Sequence, residues 1–148
     1  MGAAVEGLAR EAWVRWWRGV SFDAVVPVPC HLSTLRRRGA GLPALLARAV
    51  AREAGAPWRP VALEKVRAVP ELVGLDAKRR AAAVRGAYRP REPLDGVVLL
   101  VDDVVTSTAT ARACAEACRE AGALGVCVLA LARTPLLGPR PTAEKEVF

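Results

Sequence analysis

Histidine and tyrosine each occur once in the 148 residues, phenylalanine occurs twice, and the four cysteines form no C-x-x-C pair. A lone His31 with thiols at 30, 114, 118 and 127 argues against a structural zinc site. Cys114 and Cys118 stand four apart in a helical pattern and read as small core residues. Long apolar runs are missing as well. A membrane-spanning helix needs about 20 apolar residues, and the best candidates, VVLLVDDVV and VCVLALA, are interrupted or short. Arg10, Arg15 and Arg18 punctuate the N-terminal segment, so no signal-peptide core is legible there. The expectation is a cytoplasmic protein with no membrane span. No internal repeat is visible.

What the chain does have is an ordinary globular composition, 53% hydrophobic and 25% charged, at the usual size of one domain. The expected organisation is a single domain over 1–148, with an N-terminal helix through residue 19, a core from 20 to 134 and a surface tail from 135 to 148. The net charge of +7 is unevenly placed. Residues 31–91 carry fourteen basic and four acidic side chains, whereas 92–148 carry five and eight. Such a field suits a polyanion, either a pyrophosphorylated sugar or a nucleic acid. A solvated arginine-rich surface would look the same.

Periodicity orders the elements. GLAREAWVRWWRG reads as an amphipathic helix with Leu8, Ala12, Trp13, Trp16 and Trp17 on its apolar face. A short strand over 23–29 is cut by Pro27 and Pro29, which lack the donor a ladder needs. The basic loop CHLSTLRRRGAG follows, then a helix over 43–54 ended by Gly55 and Pro57. VALEKVR at 61–67 alternates like a strand, and 76–84 looks like a short helix. The clearest part is 97–132. Val97–Val101 is a continuous apolar strand, 109–121 is a helix burying Ala111, Cys114, Ala115 and Cys118, and 126–132 is a second buried strand, which makes a parallel βαβ unit.

Ligands of open parallel sheets bind beyond the carboxyl ends of the strands, where the sequence places 102–110. Asp102 and Asp103 leave the strand together, and one can reach a sugar diol while the other handles water or a metal. Thr106, Ser107, Thr108, Ala109 and Thr110 follow with their hydroxyls and the free N–H groups of a helix start, a cradle for phosphate. A carboxylate pair so close to such a cradle describes a ribose 5-phosphate site. The plainer alternative, one capping hydroxyl and two solvated acids, leaves the crowding of these groups after a buried strand unexplained.

The stretch VDDVVTSTAT at 101–110 resembles the phosphoribosyl pyrophosphate-binding signature of type I phosphoribosyltransferases. VVPVPCHLSTLRRRGAG at 25–41, GLDAKRRAAAVRGAY at 74–88 and VCVLALART at 126–134 are similar to their counterparts in ComF-type proteins, the amidophosphoribosyltransferase-like group linked to competence. The resemblance covers roughly residues 20–134. It implies an α/β type I phosphoribosyltransferase fold, a mostly parallel twisted sheet flanked by helices. It also implies a Mg²⁺-assisted displacement of pyrophosphate from C1 of the ribose by a nitrogen nucleophile. Asp102 and Asp103 would hold the ribose hydroxyls, residues 106–110 the 5-phosphate, and Arg36, Arg37 and Arg38 would face the pyrophosphate.

The chain departs from this pattern at Thr108, where the family usually has glycine, at Leu42, where the amides of an RGFNQ-like segment are missing, and at Leu72 and Ala83, in place of a Gln and an Asn. The amino-terminal cysteine module of many ComF proteins is not expected here. These departures count against turnover and leave the fold untouched. Three functions stay open: a phosphoribosyltransferase, a catalytically silent relative that senses a phosphorylated sugar or nucleotide and works through a competence partner, and a basic nucleic-acid-binding protein. The sequence identifies neither the acceptor nor the oligomeric state, and a homodimer is left open.

Overall fold

The computed structural model describes residues 2–30, 41–70, 72, 74–105 and 108–133. In chain order its elements are α1 (Gly2–Trp16), β1 (Ala24–Pro27), α2 (Leu42–Ala54), β2 (Leu63–Lys65), α3 (Ala77–Val84), β3 (Tyr88–Pro90), β4 (Val97–Val105), α4 (Thr108–Glu120) and β5 (Gly125–Arg133). Among the described residues, β1, β4 and β5 form a parallel sheet in the order β1-β4-β5, and β2 and β3 form a separate antiparallel pair. Ala24 lies opposite Val98, Val97 opposite Gly125, and Asp102 opposite Ala130. On the far side of β1, Val25 donates to the Pro57 carbonyl at 2.8 Å and accepts from Arg59 at 3.0 Å, so the chain at Trp58 covers that edge. No helix among the described residues is long and apolar enough to cross a membrane.

The period of two along the strands sorts the core onto two faces. Ala24, Val26, Val98, Leu100 and Val126 point toward α4 and the β2–β3 pair, where they meet Cys114, Ala115, Cys118 and Tyr88. Val25, Leu99, Val101, Cys127 and Leu129 point the other way, toward α1 and α2. The βαβ unit is the one expected from the sequence, and the buried face of α4 is made of Ala111, Cys114, Ala115, Ala117 and Cys118. All five are small, which lets the helix lie close on the sheet.

Two expectations are corrected. The face α1 buries is Val5, Ala9 and Trp13, continued by Trp17 in the turn that follows, while Leu8 at 49% and Trp16 at 39% exposure lie outside it. The tryptophans settle the choice, because Trp13 and Trp17 both pack edge-on against Phe22, at 6.0 and 5.4 Å between ring centroids. Strand β4 also runs further than its apolar stretch, through Asp102 and Asp103 to Val105, because β5 continues beside it, with Val104 opposite Ala132 and Val105 opposite Arg133.

Strand β2 is shorter than its alternating segment, and β3 pairs with it so that Lys65 faces Tyr88. Helix α3 matches its expected span. Asp76 caps it by accepting from the Arg79 amide at 2.8 Å, a contact worth about 1 kcal/mol. Arg67, just past β2, reaches across to the carbonyls of Ala83 at 2.9 Å and Arg85 at 2.7 Å, and so ties off the other end of the helix. The expected tail at 135–148 lies outside the described residues.

Candidate functional site

The carboxyl end of β4 carries the acid pair. The Asp102 carboxylate acts on Tyr88 and Cys114 on the α4 side, and the Asp103 carboxylate interacts with it directly. Asp102 is 8% exposed and is the one buried charged residue among those described, whereas Asp103 is half-buried. Each carboxylate accepts from the next backbone amide: Asp102 Oδ1 from Asp103 N–H at 2.9 Å, and Asp103 Oδ1 from Val104 N–H at 2.8 Å. These bonds fix both rotamers at a point where the ladder is running out.

Burial is the main force on the Asp102 carboxyl, and together with the neighbouring Asp103 it pushes the pKa up to about 7; the Asp103 amide and Lys65 pull the other way. The same groups act on Cys30, whose thiol is raised by burial and then by Asp103 and Asp102, with Lys65 opposing. Tyr88 is raised by burial first and then by Cys114, while the Thr110 side chain acts on its hydroxyl as a hydrogen-bonding neighbour that lowers it. The Lys65 ammonium lies 5.5 Å from the centre of the Tyr88 ring. Lys65, Tyr88 and Cys30 therefore all lie within electrostatic reach of Asp102, and Thr110 adjoins Tyr88.

Of the residues read from the sequence as a phosphate cradle, Thr108, Ala109 and Thr110 form the first turn of α4 directly after β4, all half-buried. That turn holds no acidic residue, which leaves the positive end of the helix dipole unopposed. No non-glycine residue among those described has a positive φ. Thr108 thus sits in the helix without the backbone strain a left-handed position would impose, and of the two roles a glycine would serve there only close approach to a ligand remains. Thr106 and Ser107 lie outside the described residues, as do Arg36, Arg37 and Arg38. The stems of the segment carrying those arginines are described, and they meet: a Cβ on Gly41 would lie 2.8 Å from Cys30 Sγ. The described residues that flank 31–40 therefore come together, and one of them, Cys30, feels both carboxylates.

Much of the positive charge of 59–91 is spent inside the fold. Arg59 pairs with Glu92 at 2.9 Å, Arg79 with Asp76 at 3.7 Å and Arg91 with Glu64 at 3.8 Å. Arg67 caps α3, and Arg80 donates to the Leu72 carbonyl at 3.2 Å. Tyr88, the aromatic among the basic residues of this stretch, is buried and presents no open ring for stacking. Sequence reasoning missed Lys65 and Cys30 as neighbours of the site. Lys65 comes into view only through the β2–β3 register, and Cys30 only through the closure of its loop on Gly41.

No protein-family model matches the chain. Curated relatives do: the DNA utilization protein YhgH of Salmonella typhi is 33% identical over 113 residues, and that of Escherichia coli K12 is 32% identical over the same length. In both cases the match takes in 76% of this chain and 50% of the relative, so the chain spans about half the length of the curated relatives it matches. Among solved structures, the allosteric regulatory enzyme of purine biosynthesis superposes with a TM-score of 0.56 at 22% identity. Glutamine phosphoribosylpyrophosphate amidotransferase from B. subtilis, complexed with ADP and GMP, does so with 0.55 at 23%. Each comparison covers 88% of this chain and 26% of the other. At such identities the likeness shows the fold, and it is the parallel sheet flanked by helices expected from the sequence.

Proposed function

We propose that this chain, a distant homologue of the YhgH DNA utilization proteins built on the type I phosphoribosyltransferase fold, binds phosphoribosyl pyrophosphate or a related ribose 5-phosphate ligand at residues 101–110. One observation carries the reading. Two adjacent carboxylates stand in the carboxyl-terminal part of the central parallel strand, and a helix with no acid in its first turn begins three residues beyond Val105. The N-terminal amides of α4 suit the 5-phosphate, and the acid pair suits the ribose hydroxyls. Arg36, Arg37 and Arg38 suit the pyrophosphate by their chemistry.

Mg²⁺ fits this donor set. It takes one or two carboxylates together with phosphate oxygens and keeps several waters. Among the described residues there is no cluster of three or more potential metal ligands, and this mode of binding needs none. Asp103, half-buried at the strand end, is the carboxylate best placed to share the ion with a bound pyrophosphate. When bound, the ion would neutralise charge on the leaving group. Asp102 and Asp103 would orient the ribose.

A second reading, binding without turnover, draws on Leu72. The resemblance expects an amide side chain at that position, and here the residue packs against the hydrophobic core while its carbonyl is held by Arg80. A residue committed to packing is not available to a substrate. In this reading the ligand state is passed to a competence or nucleic-acid partner, the setting that the YhgH name suggests.

Titration with ribose 5-phosphate and phosphoribosyl pyrophosphate, with and without Mg²⁺, tests the binding. Failure of both ligands at millimolar concentration overturns it. Pyrophosphate release in the presence of candidate amines then separates transferase from silent binder.

A further inference from the structure

A ligand with phosphate at both ends of its ribose needs two anion sites, and the N-terminus of α4 supplies one. Lys65 meets the requirements of the second. It stands at the end of β2, it acts electrostatically on Asp102, Cys30 and Cys114, and so its charge is felt throughout the candidate site. Yet none of the ion pairs formed among the described residues, at up to 4.0 Å, includes it. What holds its ammonium is the Tyr88 ring, opposite it in the β2–β3 register and 5.5 Å away. A cation seated on an aromatic face keeps its donors for an incoming acceptor, whereas one locked to a carboxylate does not. Tyr88 is itself fixed, being buried among Val28, Val84 and Cys114. By contrast, Arg59, Arg67, Arg79, Arg80 and Arg91 are all engaged with acids or carbonyls.

We propose that Lys65 contacts the pyrophosphate end of the ligand in addition to the arginines at 36–38, and that Tyr88 is the positioning residue that seats it. The assignment rests on the ribose-phosphate reading given above and adds to it a residue that the 101–110 signature does not contain.

Isothermal titration of the full chain with Mg²⁺ and, separately, pyrophosphate, phosphoribosyl pyrophosphate and ribose 5-phosphate provides the test. Lys65→Met should weaken pyrophosphate and phosphoribosyl pyrophosphate by about tenfold or more and leave ribose 5-phosphate within twofold. Lys65→Arg should recover most of the loss. Tyr88→Leu should copy Lys65→Met, and adding it to Lys65→Met should cost no further pyrophosphate affinity. Because Tyr88 is buried, the Lys65 pair decides the matter if the leucine variant fails to fold. Binding of ribose 5-phosphate by the parent chain, with pyrophosphate affinity unchanged in Lys65→Met, overturns the assignment alone. An equal loss for all three ligands also overturns it, since Lys65 would then act through the fold. A parent chain that binds none of the three overturns the ribose-phosphate reading and this assignment with it.

Discussion

The carboxylate of Asp23 fills the space that a side chain on Gly96 would need. Asp23 Oδ2 accepts from Val97 N–H at 2.7 Å, Asp23 N–H donates to the Val97 carbonyl at 2.9 Å, and Gly96 turns the chain into β4 with φ +63°. The Gly96 carbonyl meanwhile accepts from Leu124 and Gly125, so one turn sets the start of β4 against both of its neighbours.

Gly96→Ala should therefore be costly for two separate reasons. The left-handed backbone costs an alanine about 1–2 kcal/mol, and displacing Asp23 removes a hydrogen bond worth roughly 1 kcal/mol. The expected loss is about 2–3 kcal/mol in urea unfolding, seen as a lower midpoint at unchanged slope. A midpoint within error of the parent would show that Asp23 moves aside freely.

Asp102 gives the chain a pH-dependent stability whose sign is the reverse of the usual acid case. Its carboxyl titrates near 3.8 when unfolded and about 7 when folded, so between these values the folded state holds a proton that the unfolded state lacks. The contribution is complete below the lower value and is lost as pH rises through the upper one, with a bound of roughly 4 kcal/mol. Asp102→Asn cannot titrate and keeps an oxygen for the Asp103 amide. Relative to this variant, the parent should lose stability from pH 4.5 to pH 8. A parent-minus-variant difference that stays flat with pH would retire the buried-proton account.

Thr108→Gly separates the two functional readings. Since Thr108 occupies an ordinary helical position, the glycine relieves no backbone strain and costs α4 up to about 1 kcal/mol. What it offers is a closer approach of phosphate to the first turn, worth about one charge-assisted hydrogen bond of 1.5–3 kcal/mol. The expected outcome is a slightly lower melting temperature with ribose 5-phosphate bound tighter by about tenfold or more. If the affinity is unchanged or worse, the threonine is an adapted part of the cradle, and the case for a silent relative then rests on Leu42, Leu72 and Ala83.

The sequence was most informative where one pattern had one solution. The run 97–101 and the small residues at 111, 114, 115 and 118 could bury themselves only as a strand and a helix lying on it. The acid pair and the first turn of α4 were legible for the same reason. The face of α1 was not, because Val5, Leu8, Ala9, Ala12, Trp13, Trp16 and Trp17 form two overlapping stripes, and Phe22, outside the helix, decides between them. The length of β4 depends on its neighbour β5, and the place of Lys65 on an antiparallel register between segments that α3 separates. Leu72 was read as a missing amide, and only its packing shows what the residue does instead.

The guanidinium of Arg67 joins backbone eighteen residues apart in the chain, and the helix it closes off buries Val84 alone. An excursion fastened at its base and lightly rooted in the core is a cooperative opening unit. Loss of the two Arg67 bonds would free the C-terminal end of α3, while the β1-β4-β5 ladder under the acid pair, built from other residues, keeps its pairing.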